Sequence, residues 1–471
     1  MAEIVVVGAG VGGTAAALLL ARDGHSVTLL DRDVGPLPRG VDEAWESWNR
    51  RGVGQFRMPH ILMSRGTSIL CHELPDVAAR LRTAGGLQFN TLDAVLSSRD
   101  AFDREPEDDR FEMLTGRRTT IDWVLAVTAE IETSVTVRRG VAVGGLVAGS
   151  ASSPEVPHVV GVRLEGGEEI PADLVVDATG RNSPALRWLA ELGGTSPVEV
   201  LEDSGFAYYG RFFRSADGTV PEFRAPMLTP IGSISLLTLP SDNGTWSTMV
   251  YAAAADKPLR RLRESNAFEA VVRECPLHAH WLNGEPIGPM VSMVGATDRR
   301  RSFVIDERPV ATGMLTIGDA ATCSNPSLGR GMTFALMHAV LLRDSVKKYL
   351  HDPLALATEF GNRTELEMGP WYEMTRQIDR ARINEMSAIA AGRDVEPTPE
   401  GQAVAAVFTA AMTDPAVARD WADVIGCLAG ADEVLAREGL VERAFAIAGS
   451  TAGSPLGPDR ARLLEILSKG F

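Results

Sequence analysis

The chain is poor in the residues that would open several functional classes. Only four cysteines occur in 471 residues, Cys71, Cys275, Cys323 and Cys427, and none has the paired spacing of a zinc site or redox dithiol. They read as reduced thiols and argue against a disulfide-built secreted fold. Basic residues are outnumbered, 46 Lys and Arg against 62 Asp and Glu, and a net charge of −16 argues against nucleic acid or an anionic membrane as main partner. His278 and His280 lack a third ligand at metal spacing, so no metal is expected. No basic n-region or cleavage site precedes the first apolar stretch. The one run approaching membrane length, Ile4 to Ala21, carries four glycines at turn spacing. These absences together predict a soluble, cytoplasmic chain without stable membrane insertion.

What is present centres on that same run, IVVVGAGVGGTAAALLLA. Four apolar residues lead into Gly8-Ala9-Gly10-Val11-Gly12-Gly13 and then an Ala/Leu segment of strong helix preference, which predicts strand, tight turn and helix. Gly8 suits the turn, Gly10 the approach of a pyrophosphate and Gly13 close helix–strand packing. The helix N-terminus then faces phosphate with its positive dipole end. A second strand, Ser26 to Leu30, ends in Asp31, 18 residues past Gly13, where a carboxylate meets ribose hydroxyls. A dinucleotide site follows; the motif alone leaves NAD or FAD open.

Further along, Arg50 to His60 is basic and glycine-containing, with Arg57, His60 and Arg65 balanced between a ligand contact and a solvated loop. Residues 98–112, dense in charge, predict an exposed loop. Arg118 opens a helix, where it can pair with phosphate. Ala172 to Val176 is a strand ending in Asp177-Ala178-Thr179-Gly180-Arg181-Asn182-Ser183, which sets a carboxylate at the sheet edge used by ligands. FAYYGRFFR, ISLLTL and WSTMVYAAA predict an antiparallel sheet inserted into the nucleotide domain. Met314 to Ile317 is another strand, ending in Gly318-Asp319, and Asn325 to Met332 opens a second glycine-started helix. Two such helix starts suit a large dinucleotide held at two places. From about Pro353 the pattern is helical, packed on the core or on a partner subunit.

Three motifs, GAGVGG, DATGRNS and GDAATCSNPSLGRGMT, in this order resemble the FAD-dependent monooxygenase superfamily typified by para-hydroxybenzoate hydroxylase. RGVGQFRMPHILMSRG and NP-x-x-G-x-G-M-T resemble its squalene-epoxidase-like and polyether-type epoxidase branch. The resemblance covers about residues 1–350. It implies an α/β fold: a FAD-binding Rossmann-like domain of glutathione-reductase type, an inserted antiparallel substrate sheet and a helical C-terminal region. The corresponding boundaries are 1–75, 100–195 and 300–350 for the FAD domain, 76–99 and 196–299 for the substrate domain, and 351–471 for the helical region.

The resemblance puts Gly8, Gly10, Gly13, Asp31, Arg32, Arg118, Asp177, Gly318, Asp319, Pro326, Gly329, Gly331 and Met332 around FAD, with Pro326 and Arg330 nearest the ring. Tyr209, Arg211 and Phe213, on one face of the first inserted strand, are the substrate candidates; the sequence does not decide which face meets the pocket, and core packing competes. The implied activity is monooxygenation of a small organic molecule: NAD(P)H reduces FAD, and a flavin C4a-hydroperoxide delivers one oxygen atom of O₂. Asp-Ala-Thr-Gly replaces the Asp-Gly of aromatic hydroxylases, Thr322 stands for the usual His and Arg330 for the usual Gln. The first departure is shared by reductases and halogenases, so a FAD-dependent reductase of an apolar substrate is the alternative, ahead of a non-enzymatic FAD-binding protein. A homodimer or a separate reductase partner stays open.

Overall fold

The structure, a computed structural model, describes residues 1–96, 102–151, 156–393, 398–450 and 456–469. In chain order, the elements that build the site begin with β1 (Glu3–Val7), α1 (Val11–Arg22), β2 (Ser26–Asp31), α2 (Arg118–Ile131), β3 (Val135–Arg139) and β4 (Leu174–Asp177). Then come β5 (Phe206–Arg214), β6 (Leu228–Ile231), β7 (Ile234–Pro240), β8 (Thr245–Ala253), β9 (Glu285–Val294) and β10 (Met314–Thr316). Four helices follow: α3 (Gly331–Tyr349), α4 (Pro353–Ala390), α5 (Pro399–Ala411) and α6 (Pro415–Ile425).

β10, β4, β1, β2 and β3 lie side by side in that order as one parallel sheet. Its central strand, β1, is apolar and buried from Ile4 to Val7, after an exposed Glu3, because both faces are covered. Ile4 and Val6 enter a core with Leu18, Ile121 and Leu336, while Val5 and Val7 enter another with Trp188 and Leu189. At the end of β1 the chain turns at Gly8, whose φ of 106° favours glycine. A Cβ at Gly8 would sit 2.5 Å from the Ala178 carbonyl, and one at Gly13 only 1.9 Å from the Gly8 carbonyl. Strand, turn and helix therefore close on one another with room for hydrogen alone.

The second layer is an antiparallel sheet in the order β6, β7, β8, β5, β9, inserted between β4 and β10. One fully buried ion pair ties it to the nucleotide-binding layer. Asp242, in the β7–β8 turn, accepts hydrogen bonds from the Arg117 backbone and guanidinium just before α2, and from Thr120. The third layer is helical: Ala406, Val407 and Ala410 of α5 pack on Val417 and Ala418 of α6.

The described part of segment 76–99, residues 76–96, divides its packing among the layers. Val77, Ala78 and Leu81 sit in the core of the parallel sheet, Leu92 and Val95 pack on the C-terminal helices, and Phe89 meets Phe223 beside the inserted sheet. The stretch expected as a charged loop, 98–112, starts among residues 97–101, outside the described residues; the rest is not simply exposed. Pro106–Phe111 forms a 3₁₀ turn with Asp108 and Phe111 buried, because Arg419 grips the Asp108 carboxylate at 2.8 Å. Among the described residues no helix is long and apolar enough to cross a membrane, and no cluster of metal-ligating side chains occurs.

Candidate functional site

One cavity of about 1520 Å³ runs from the carboxyl edge of the parallel sheet to the inserted sheet and the C-terminal helices. Pockets for a single drug-sized ligand span roughly 300–1,000 Å³, so this one has room for a dinucleotide and a second molecule.

The first end is a glycine-rich cradle. Gly8, Gly10, Gly13, Asp31, Arg32 and Arg118 line it. α1 starts at Gly10 and α3 after Arg330, neither with a side-chain cap, and both starts face the cavity. Their N–H groups are unclaimed by side chains, which is what an anionic ligand needs. A Cβ built on Gly10 or Gly331 meets nothing within 4 Å, so the backbone there is open to close approach. These residues fit a bound dinucleotide.

Asp31 is not a free carboxylate. Its Oδ2 accepts from Arg50 at 2.5 Å and its Oδ1 from the Asp33 N–H at 3.1 Å. Arg50 also reaches Asp33, Asp122 and the Ala9 carbonyl, so one buried guanidinium organises this end of the cavity. The sequence offered Arg50 only as one charge in a basic loop. Arg118 donates to Asp122 at 2.6 Å and lies 3.3 Å from His60 Nε2. Burial, then the Arg118 charge, pushes the His60 imidazole down to about 4 and keeps it neutral.

Asp177 does not line the cavity. It is fully buried beneath the wall, accepting hydrogen bonds from Thr179 and Ser183, and so shapes the Ala178–Arg181 turn that does. Gly318, Asp319, Pro326, Gly329, Gly331 and Met332 all face the cavity where α3 begins. Gly329 has φ 66°, and a Cβ there would be 2.8 Å from Ile61, so its glycine identity is steric. Arg330 also lines the cavity, but its guanidinium is held by the protein. It donates to Thr375 and to the Val424 carbonyl and stacks over Trp371. Its visible role is to hold α4 and α6 against the start of α3.

The second end is an apolar chamber. Phe206 and Tyr208 of β5, Leu237 and Leu239 of β7, and Met249 and Tyr251 of β8 form its sheet wall; Ile378, Phe408, Trp421 and Ile425 face them from α4, α5 and α6. The expected substrate residues Tyr209, Arg211 and Phe213 are on the wrong face. Tyr209 packs with Phe268 and Leu463 of the helices behind the sheet, Arg211 donates to Ser265, and Phe213 stacks on Trp246. Both faces of β5 are buried, so alternation carried no polarity signal that could choose between them.

A polar chain joins the two ends. Tyr208 donates to Asn325 Oδ1 at 2.7 Å, Asn325 Nδ2 donates to Asp379 at 2.8 Å, and the Asn325 backbone N–H donates to Asp298 at 2.7 Å. Burial pushes the Asp379 carboxyl up to about 7, against hydrogen bonding that favours the anion. Asp379 was missed because it sits in a charged amphipathic helix, where an acid reads as a solvated face.

Comparison with known proteins agrees with this geometry. The family described as NAD(P)-binding Rossmann-like domain matches residues 6–36. Protein Rv3254 of Mycobacterium tuberculosis is 28% identical over 364 residues, 73% of this chain and 72% of that protein. Squalene monooxygenase of Mus musculus is 24% identical over 370 residues, 75% of this chain but 56% of the mouse protein's length. Among solved structures, pqsL from Pseudomonas aeruginosa, described as a probable FAD-dependent monooxygenase, superposes with a TM-score of 0.56 at 17% identity, covering 83% of this chain and 96% of that one. The fold is shared with the flavin-dependent brominase Bmp2, TM-score 0.60 at 16% identity over 94% of this chain and 98% of that one. The chain thus has the fold shared by pqsL and the flavin-dependent brominase Bmp2. The resemblance carried by the three glycine and aspartate motifs stands.

Proposed function

We propose that the protein is a FAD-dependent monooxygenase that hydroxylates or epoxidises a small, largely apolar organic molecule, with NADH or NADPH as electron donor. The observation that supports this most is the continuity of the cavity: two uncapped helix N-termini at one end open directly into an apolar chamber at the other. Bound FAD would supply the redox and oxygen chemistry. The protein has to hold the cofactor, orient the substrate against its ring and exclude water.

In this reading Gly8, Gly10 and Gly13 receive the pyrophosphate, Asp31 with Arg32 the adenosine end, Arg118 and Asp319 the middle, and Pro326 with the Gly329–Met332 turn the ring. The first turn of α3 would present its N–H groups to a flavin ring bound there and so favour negative charge on it. The nucleotide-binding, inserted-sheet and helical regions act as cradle, wall and cover.

The test is product analysis. Purified protein with NADH or NADPH is offered a panel of apolar alkenes and arenes under isotopically heavy O₂. A product carrying one heavy oxygen atom is the expected result. Donor consumption with a reduced product and no heavy oxygen would instead establish the reductase alternative.

A further inference from the structure

Resting on the assignment of the cavity as FAD cradle plus substrate chamber, we propose that Asp379 is the substrate-binding acid of the chamber, donating a hydrogen bond in its neutral form to an oxygen acceptor on an otherwise apolar, uncharged substrate.

Its placement carries this. Asp379 is 3% exposed, on the face of α4 that lines the cavity, where α3 begins. A buried carboxylate is normally paired with a cation or fully hydrogen-bonded. Among the described residues Asp379 has no ion pair, and the well-formed hydrogen bond it accepts comes from Asn325 Nδ2 to Oδ2. The cation facing it, Arg330, is held by Thr375, the Val424 carbonyl and Trp371. The other ionisable groups that face it are Asp298 on the strand Thr297–Ser302, Tyr208 on β5 and Tyr251 on β8. Asp298 repels the anion, neither tyrosine is a cation and Arg330 favours the anion without an ion pair, so among the described residues no cation pairs with Asp379.

Beside it the Ser327 hydroxyl, buried and lining the cavity, lies close enough to favour the Asp379 anion but makes no well-formed hydrogen bond. Two polar groups therefore meet one wall of an apolar chamber, with hydrogen-bonding capacity left over. With Tyr208 bound to Asn325, the polar end of the chamber is fixed in place. Burial raises the carboxyl to about 7, so the neutral donor form is populated at and below neutrality. A carboxylate-bearing ligand would meet Asp379 as a like charge, which narrows the substrate class to neutral molecules with a carbonyl, ether or hydroxyl oxygen.

Equilibrium dialysis of the FAD-loaded protein against acetylnaphthalene and naphthalene tests this, at about pH 5.5 and about pH 8.5, either side of the carboxyl's titration. The two probes share an apolar body and differ by one acceptor-only carbonyl. The wild type should bind the ketone about 2- to 10-fold tighter at the lower pH, the worth of one neutral hydrogen bond. Naphthalene binding should not change with pH. Asp379→Asn, which donates at both pH values, should keep the preference for the ketone and lose its pH dependence; Asp379→Leu should lose the preference. The FAD content of each variant serves as the control for folding. A pH dependence that persists in Asp379→Asn, or a wild type indifferent to the carbonyl, overturns the role of Asp379. A FAD-loaded protein that binds neither probe overturns the chamber assignment itself, and the proposal with it.

Discussion

The cradle and the chamber share one cavity but are built by different means. In the cradle, glycine identity is imposed at single positions of short turns: a Cβ at Gly8 would meet Ala178, one at Gly13 would meet Gly8 and one at Gly329 would meet Ile61. In the chamber, no position is dictated locally. Its walls come from β5, β7 and β8 and from helices more than a hundred residues further along, and its polar end is a relay from Tyr208 through Asn325 to Asp379. Local constraint leaves a motif in a sequence; long-range assembly leaves an ordinary amphipathic pattern.

The largest expected effect breaks the cradle alone. Gly13→Val should yield protein without FAD or no folded protein, read from flavin absorbance after purification, whereas Tyr209→Phe, behind the sheet, should leave flavin content unchanged. Next is the joint between the two regions. Asp242→Ala strands the buried Arg117 guanidinium and should cost about 3–5 kcal/mol by chemical denaturation, as for other broken buried pairs.

A third effect is a pH dependence on the cradle side. His338 is fully buried, its Nδ1 accepts from the Gly318 N–H, and burial pushes it down to about 4. Unfolded, it binds a proton near 6.5; folded, it resists until about 4. Its contribution is therefore complete above about 6.5 and is lost as the pH falls toward 4, up to about 3 kcal/mol. Denaturation midpoints measured down this range should fall, and less so in His338→Asn.

Asp379 works in the opposite direction. With its carboxyl raised to about 7, folding is disfavoured as the pH rises from the ordinary carboxylate range through 7. Asp379→Asn should therefore raise stability at alkaline pH by about 1–3 kcal/mol, with little change in acid. The smallest effect is Tyr208→Phe, which removes one hydrogen bond from the relay. It should cost about 1 kcal/mol and weaken apolar-ligand binding while flavin content stays constant.

These contrasts explain what could be read in advance. The parallel sheet, the inserted antiparallel sheet, the helical tail and the glycine turns were legible because each leaves a short-range period or a steric signature. The partner of Asp31 was not, since nothing in Arg50-Arg51-Gly52 says that one arginine folds inward against three aspartates. The cavity-lining face of β5 was not, because helices cover its back and make both faces apolar. Asp379 was hidden by neighbours such as Arg376, Arg380 and Arg382, whose charges give α4 the look of a solvated helix.

The most direct test of a FAD cradle opening into a substrate chamber is the visible spectrum of the purified protein under argon, titrated with NADH and NADPH and then exposed to oxygen. Stoichiometric flavin that bleaches with either donor and recovers on admission of oxygen is the predicted result. Protein that neither carries flavin nor takes it up on addition of FAD would contradict the assignment at its foundation.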